Sequence, residues 1–442
     1  MNLQTIKLLL LRLMIFCLPF LTGTLYSHVW DDNLIYSFDV LLLLLYVIWA
    51  VEGRTRSGGG MVFDAYCSTA LVKIAWSTIS ILPAISQVRG AAAVIMIVKA
   101  FLIYFYLLNN VRTRATFEIV VHWLMVVLLL QGLIGVLQYT TGGSLGLGFL
   151  GERSMAFQKS LSRVRGTFRH PLQYSAFIIM LIPLAFSLFI FTAKSIKKTF
   201  YGVTALLALL ALLLSWSRSA WASLLLAFGF FVLFLAKKRV LSVRISLALG
   251  AVVIAIGAIV VGFWDLIVLR FETGSDPIHR IRMIEVAIPM ITENLIFGVG
   301  LFNYEFHSMA HFRFWQPVHN DYLRLAAETG IPGVLLFLII CILVLRQGWK
   351  MLKVNDRFLY AVALGILTGH LALLIEVNFT PDYQHYRVKV LFWVLAAMIF
   401  AIPRVLANME MMKKLRAEKI ARHERMLKER MQPPGASKEQ RA

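Results

Sequence analysis

The chain alternates between apolar stretches of about twenty residues and short polar segments. About twenty apolar residues is the length an α-helix needs to cross a bilayer. The pattern predicts about twelve such helices, near residues 7–27, 33–52, 70–86, 91–111, 117–140, 172–193, 199–216, 219–236, 244–264, 323–345, 358–378 and 388–408. No small-residue cleavage site follows the first stretch near Ser27, so it reads as a span and not as a removable leader. One long polar insertion, 265–322, interrupts the series. Within it Ile281, Ile284, Ala287, Ile288 and Ile291 recur at helical spacing, which predicts an amphipathic helix lying over the membrane and roofing a cavity. The expected fold is an all-α polytopic membrane protein: a transmembrane domain over 1–408 that includes the outer loop 265–322, then a basic tail over 409–442. No internal repeat with a period of about 20–50 residues interrupts that reading.

Composition supports it. The 442 residues are 59% hydrophobic and 15% charged, with a mean hydropathy of +0.76, whereas a soluble domain carries about a quarter charged residues. The net charge of +21 would suggest nucleic acid as a partner of a soluble chain. In a membrane protein it reports orientation instead, because cytoplasmic loops collect Lys and Arg. One set of alternate loops holds Arg54 and Arg56, Arg112 and Arg114, Lys194, Lys197 and Lys198, Lys237, Lys238 and Arg239, and Arg346, Lys350, Lys353 and Arg357. The tail from Arg404 belongs to the same side, so that side is cytoplasmic and both termini lie on it. The stretch 409–431 reads as a basic helix contacting anionic lipid. Cys17, Cys67 and Cys341 are far apart and show neither zinc spacing nor a disulfide framework.

The opposite side should be poor in cations, yet it carries Arg153, Lys159, Arg163, Arg165, Arg169, Arg218, Arg270, Arg280, Arg282 and Arg313. Nearly all are arginine, the side chain suited to bidentate, always-charged recognition of phosphate or carboxylate. The outer face therefore looks built to hold an anion. Arg218 is the extreme case: Ser215-Trp216-Ser217-Arg218-Ser219 joins two apolar runs with almost no loop, so its charge lies near bilayer depth and must line a wet cavity.

Four outer segments then carry a family resemblance. They are Arg165-Gly166-Thr167-Phe168, Ser217-Arg218-Ser219, Arg280 eighteen residues before the glycines 298 and 300, and His319-Asn320 followed by Glu328-Thr329-Gly330. Jointly and in this order, over most of residues 160–335, they resemble the bacterial O-antigen ligase and polymerase superfamily. The chain departs from that pattern at His170-Pro171, where many members have Asn-Pro, and at Met283 and Ile284, where an aromatic often stands.

The resemblance implies a GT-C-like glycosyltransferase of the bacterial inner membrane with its active site facing the periplasm. It would move O-antigen polysaccharide from undecaprenyl pyrophosphate to a hydroxyl of lipid A–core. A pyrophosphate leaving group gathers negative charge, so fixed cations in a dry pocket lower the barrier. Arg163, Arg165, Arg169, Arg218, Arg280 and Arg282 are the candidate pyrophosphate-binding residues, with Arg218 and Arg280 also catalytic. His319 is the candidate general base, since an imidazole titrates near neutral pH and nearby arginines keep it neutral. His170 and His385 stand in reserve, and Asp321 and Glu328 are candidates to orient the imidazole.

No cofactor and no metal are expected. His307 and His311 supply only half of a metal site, and Asp31-Asp32 read as caps at the membrane interface. The alternatives are an O-antigen polymerase or a protein O-oligosaccharyltransferase of the same superfamily, and, from another class, a flippase of anionic lipid-linked sugar. The flippase fits less well because no related halves with broken helices are visible.

Overall fold

The computed structural model describes residues 2–20, 23–27, 32–55, 61–152, 156–158, 161–193, 195–237 and 277–431. It begins with α1 (Leu3–Cys17), a hairpin of β1 (Gly23–Ser27) and β2 (Asp32–Tyr36), α2 (Ser37–Thr55) and α3 (Ala65–Ile79). Eight helices long and apolar enough to span a membrane follow among the described residues. They are α4 (Gln87–Asn110), α5 (Arg114–Thr141), α6 (Pro171–Phe191), α7 (Ser195–Leu214), α8 (Arg218–Lys237), and, after α9 (Pro277–Glu293) and α10 (Tyr304–Phe312), α11 (Asp321–Met351), α12 (Arg357–Glu376) and α13 (Tyr386–Met431). A short hairpin of β3 (Ala156–Gln158) and β4 (Leu161–Arg163) lies between α5 and α6.

Three further expected spans take a different form, and the one expected near 244–264 lies outside the described residues. The first, expected over 7–27, stops at Cys17, two residues before Pro19, which has no amide hydrogen to continue the helix. Residues 33–36 belong to a strand, and α2 then holds Asp39, Glu52 and Arg54. The third, α3, is only 15 residues long and gives way to a turn ahead of Pro83. Their charges pair inside the protein: Lys7 donates to Glu52 at 2.6 Å, and Lys99 of α4 to Asp39 at 2.5 Å.

Helix α6 is buried along nearly its whole length and packs on α12, while α13 crosses the core beside α4. These helices have no polar face because protein surrounds them. Past the core α13 continues without a break, and its side chains from Glu410 to Leu427 are exposed. In α9 the predicted apolar stripe divides: Ala287 and Ile291 pack on the protein, and the other three members do not. Ile281, Ile284 and Ile288 are exposed, and Met283, Val286, Ala287 and Met290 pack on Ala327 of α11. Helix α9 is apolar on two sides, so periodicity alone did not select the packed one.

Candidate active site

The site is assembled at one end of the bundle from the loop before α6, the α7–α8 turn, α9, and the segments flanking α11, α12 and α13. Two glutamines of α5 shape the first loop. Gln138 accepts from the Gly166 amide at 2.9 Å and donates to the Gly166 carbonyl at 3.0 Å, and Gln131 donates to Thr167 Oγ1 at 3.0 Å. Gly166 has φ +53°, and a Cβ there would run into Gln131 Oε1 and the Tyr174 ring, so only glycine fits. Thr167 Oγ1 donates to the Pro19 carbonyl at 2.9 Å. Arg387, entering from α13, donates to the Pro19 and Thr167 carbonyls at 2.7 and 3.0 Å and lies 4.0 Å over the Phe168 ring.

The three arginines of this loop differ in use. Arg163 is 5% exposed, and its Nε donates to the Ser215 carbonyl at 2.9 Å. Arg165 donates to the Arg169 carbonyl at 2.7 Å and closes the loop on itself. Arg169 is half-buried. His170 accepts from the Leu172 amide at 3.2 Å as the N-cap of α6, with Pro171 at the first helical position, so the His-Pro departure keeps a capping side chain.

The same contacts dock the loop on the turn that presents Arg218. The Val164 amide donates to the Leu214 carbonyl at 3.2 Å, beside the Arg163–Ser215 bond. Trp216 reverses the chain with φ +52°, a strained value for a bulky side chain. Its ring is buried against Trp221, 5.9 Å between centroids. Arg218 then opens α8, half-buried, and one turn inward Ser219 and Ser223 donate to Glu376 at 3.0 and 3.2 Å. This clamp fixes the start of α8 against the end of α12.

Arg280 lies on the first turn of α9, within electrostatic reach of both Arg218 and His319. His319 precedes the N-cap Asn320, which accepts from the Tyr322 and Leu323 amides at 2.9 and 3.0 Å. The Asp321 amide donates to the Val377 carbonyl at 2.8 Å, and Asp321 Oδ2 accepts from the Tyr383 amide at 2.8 Å. Burial pushes the His319 imidazole below its ordinary value, the Arg280 charge pushes it further, and a hydrogen bond with the Phe379 backbone opposes both. His319 is therefore neutral at pH 7 and able to accept a proton.

Of the candidate residues, the structure brings together Arg163, Arg165, Arg169, Arg218, Arg280 and His319. It leaves Arg282 apart, 59% exposed and 3.7 Å from Glu285 on the outer side of α9. His170 lies within electrostatic reach of Arg163, Arg165 and His319. His385 is 4.0 Å from Asp382 and 3.1 Å from Gln173. Neither expected imidazole-orienting carboxylate plays that part among the described residues: Glu328 is bound by Arg324 at 3.0 Å, which also holds Glu305 at 2.8 Å, and Asp321 faces Tyr383. The glycine motifs are structural. Gly298 and Gly300 have positive φ, and the loop they bracket runs along the kink of α11, with Val299 donating to the Ala327 carbonyl at 2.8 Å. At the kink itself Gly330 has φ +68°, and a Cβ would collide with the Ile296 carbonyl.

Four residues here were missed from the sequence: Arg324, Glu376, Asp382 and Arg387. Charges inside or beside apolar runs were the available signal. Burial raises the Asp382 carboxyl to about 7, while its bond with Thr380 and the Arg163 charge lower it. Among the described residues no group of three or more His, Cys, Asp or Glu side chains converges as a metal site. The His307 and His311 rings lie 4.2 Å apart on α10 without a third ligand there. Asp31 lies outside the described residues, and Asp32 is on β2.

A family model described as O-Antigen ligase matches residues 203–338. The matched stretch contains Arg218, Arg280, His319, the glycine pair and the α11 kink, while the 163–170 loop and the Glu376–Arg387 segment lie beyond it. No curated protein matches the chain.

Proposed function

We propose that the chain is a membrane enzyme of the O-antigen ligase and polymerase superfamily, a reading supported by the match of residues 203–338, and that it transfers O-antigen polysaccharide from undecaprenyl pyrophosphate to a sugar hydroxyl of lipid A–core. The observation that carries the proposal is the convergence of Arg218, Arg280 and a neutral His319 from three separate segments at one end of the bundle. The acceptor hydroxyl approaches the anomeric carbon of the donor as His319 takes its proton. The new glycosidic bond forms as the bond to the pyrophosphate oxygen breaks. The leaving pyrophosphate collects negative charge, which the Arg218 and Arg280 guanidinium groups stabilise in a partly desolvated site. Arg163, Arg165 and Arg169 give the surrounding loop its positive potential and help hold the donor.

On this reading the site end faces the periplasm of the bacterial inner membrane and the basic tail faces the cytoplasm, as the loop charges predict. Reporter fusions at residues 300 and 440 should report opposite sides; the same side for both would remove the topology. Arginines take the role that a divalent cation plays in many glycosyl transfers. Transfer by the purified enzyme should therefore survive EDTA, and loss in EDTA with recovery in Mg²⁺ or Mn²⁺ would overturn this part.

The direct test uses purified chain, lipid-linked polysaccharide and lipid A–core. His319→Ala should bind donor normally and lose transfer by about 10²–10⁴-fold, the range of a positioned general base. Normal transfer by a well-expressed variant removes His319 as the base. In cells, deletion should leave lipid A–core bare while polymerised glycan accumulates on the carrier. Short glycans on the carrier would instead identify the polymerase reading.

A further inference from the structure

At the end of α11 remote from His319, a cavity of about 640 Å³ opens between α3, α4, α11 and α13. Three cations edge it: Arg346 and Lys350 of α11, and Arg404 of α13. Arg346 and Lys350 are four residues apart and share a helix face, where like charges repel. Both are exposed, and among the described residues neither forms an ion pair. Arg404 is held facing them by the Leu108 carbonyl at 3.2 Å and Asn109 Oδ1 at 3.3 Å. Asp64, the one carboxylate among the described lining residues, is committed elsewhere: it accepts from the Cys67 amide at 2.8 Å as the N-cap of α3, and from Tyr104 Oη at 2.8 Å. Leu343 and Phe400 contribute apolar surface below the cations.

We propose that this cavity binds the phosphate of an anionic membrane lipid, with the phosphate between Arg346, Lys350 and Arg404 and the adjoining apolar chain over Leu343 and Phe400. Three cations around one cavity whose carboxylate Asp64 is held by Cys67 and Tyr104 suit an anion, and basic pockets between transmembrane helices suit lipid headgroups. The apolar surface beneath selects a phosphate attached to a lipid over free phosphate. Nothing in this site touches the glycosyl-transfer machinery.

Native mass spectrometry of the full chain in neutral detergent tests it by titration with phosphatidylglycerol, phosphatidylcholine and inorganic phosphate. Phosphatidylglycerol should bind most tightly, and inorganic phosphate at equal concentration should not displace it. The Arg346→Gln/Lys350→Gln variant should weaken phosphatidylglycerol binding about twenty-fold, and each single variant about five-fold, as expected for cations at a lipid surface. Both side chains are exposed, so these variants keep the fold, which an unchanged Tm confirms. Lys413→Gln/Lys414→Gln, on the exposed stretch of α13, should bind as the wild type does. Any one of four results overturns the proposal: undiminished binding by the double variant, equal loss in the tail variant, equal affinity for phosphatidylcholine, or displacement by equimolar inorganic phosphate.

Discussion

The two ends of the helix bundle are both rich in cations, and they use them differently. At the site end the arginines are anchored: Arg163 to the Ser215 carbonyl, Arg165 to the Arg169 carbonyl, and Arg387 to the Pro19 and Thr167 carbonyls. At the other end Arg346, Lys350 and the α13 side chains from Lys413 to Leu427 stand exposed. Anchoring a guanidinium before substrate arrives removes rotamer freedom that would otherwise be lost in the reaction, and a desolvated charge interacts more strongly than one in water. Loose cations at a membrane surface serve attraction and adjust to what they meet. The number of positive charges does not distinguish the two ends; the difference is that the loop before α6 is tied to neighbouring segments through its arginines, whereas at the far end only Arg404 is held beside the exposed Arg346 and Lys350.

That contrast predicts unequal tolerance of Arg→Lys. Lysine keeps the charge and loses the planar fork. Arg218→Lys and Arg280→Lys should each slow transfer by about 10²–10³-fold, nearly as much as alanine and on the scale of one lost oxyanion donor. Arg346→Lys, at the far end, should leave transfer unchanged. Single-turnover rates at matched protein levels decide this, and full activity in the two site variants would reduce those arginines to point charges.

A smaller effect comes from the loop scaffold. Gly166→Ala forces a Cβ into Gln131 and the Tyr174 ring at a positive φ, which should cost roughly 1–3 kcal/mol of stability. A lowered Tm together with weakened donor binding is expected, and an unchanged Tm would mean that the glutamine-braced loop adapts. The smallest effect belongs to Arg282. Its exposed pair with Glu285 contributes at most about 1 kcal/mol, so Arg282→Ala should leave transfer within about two-fold of wild type. A large loss there would draw the outer side of α9 into the site.

The helix pattern was legible because long apolar runs survive any error of a few residues at their ends. The exceptions have local causes. Pro19 ends α1 early, and charges such as Asp39 and Glu52 find partners inside the protein, Lys99 and Lys7. In the candidate site, a charge in a minimal turn singled out Arg218 and the family resemblance singled out His319, and the structure sets both within electrostatic reach of Arg280. The partners of His319 were not legible, since nothing in the sequence says that the Phe379 backbone would meet it while Glu328 turned to Arg324. Arg387 and Glu376 lay at helix ends, where an ordinary snorkelling charge and a functional one read alike. Their roles emerge only when Thr167, Ser219 and Ser223 are seen to reach them from distant segments.

The proton acceptor is the centre of the account, and the pH dependence of single-turnover transfer tests it most directly. The His319 pKa is lowered from its ordinary 6.5 in the fold. The neutral, proton-accepting form is therefore full at pH 7 and is lost only as pH falls through the lowered value. The stability linked to this group is likewise present above about 6.5 and declines in acid. Wild-type transfer should be flat above about pH 7 and fall about tenfold per unit once below that pKa, while the residual rate of His319→Ala shows no such fall. A wild-type profile that stays flat into acid, or an acid fall retained in His319→Ala, would contradict the assignment.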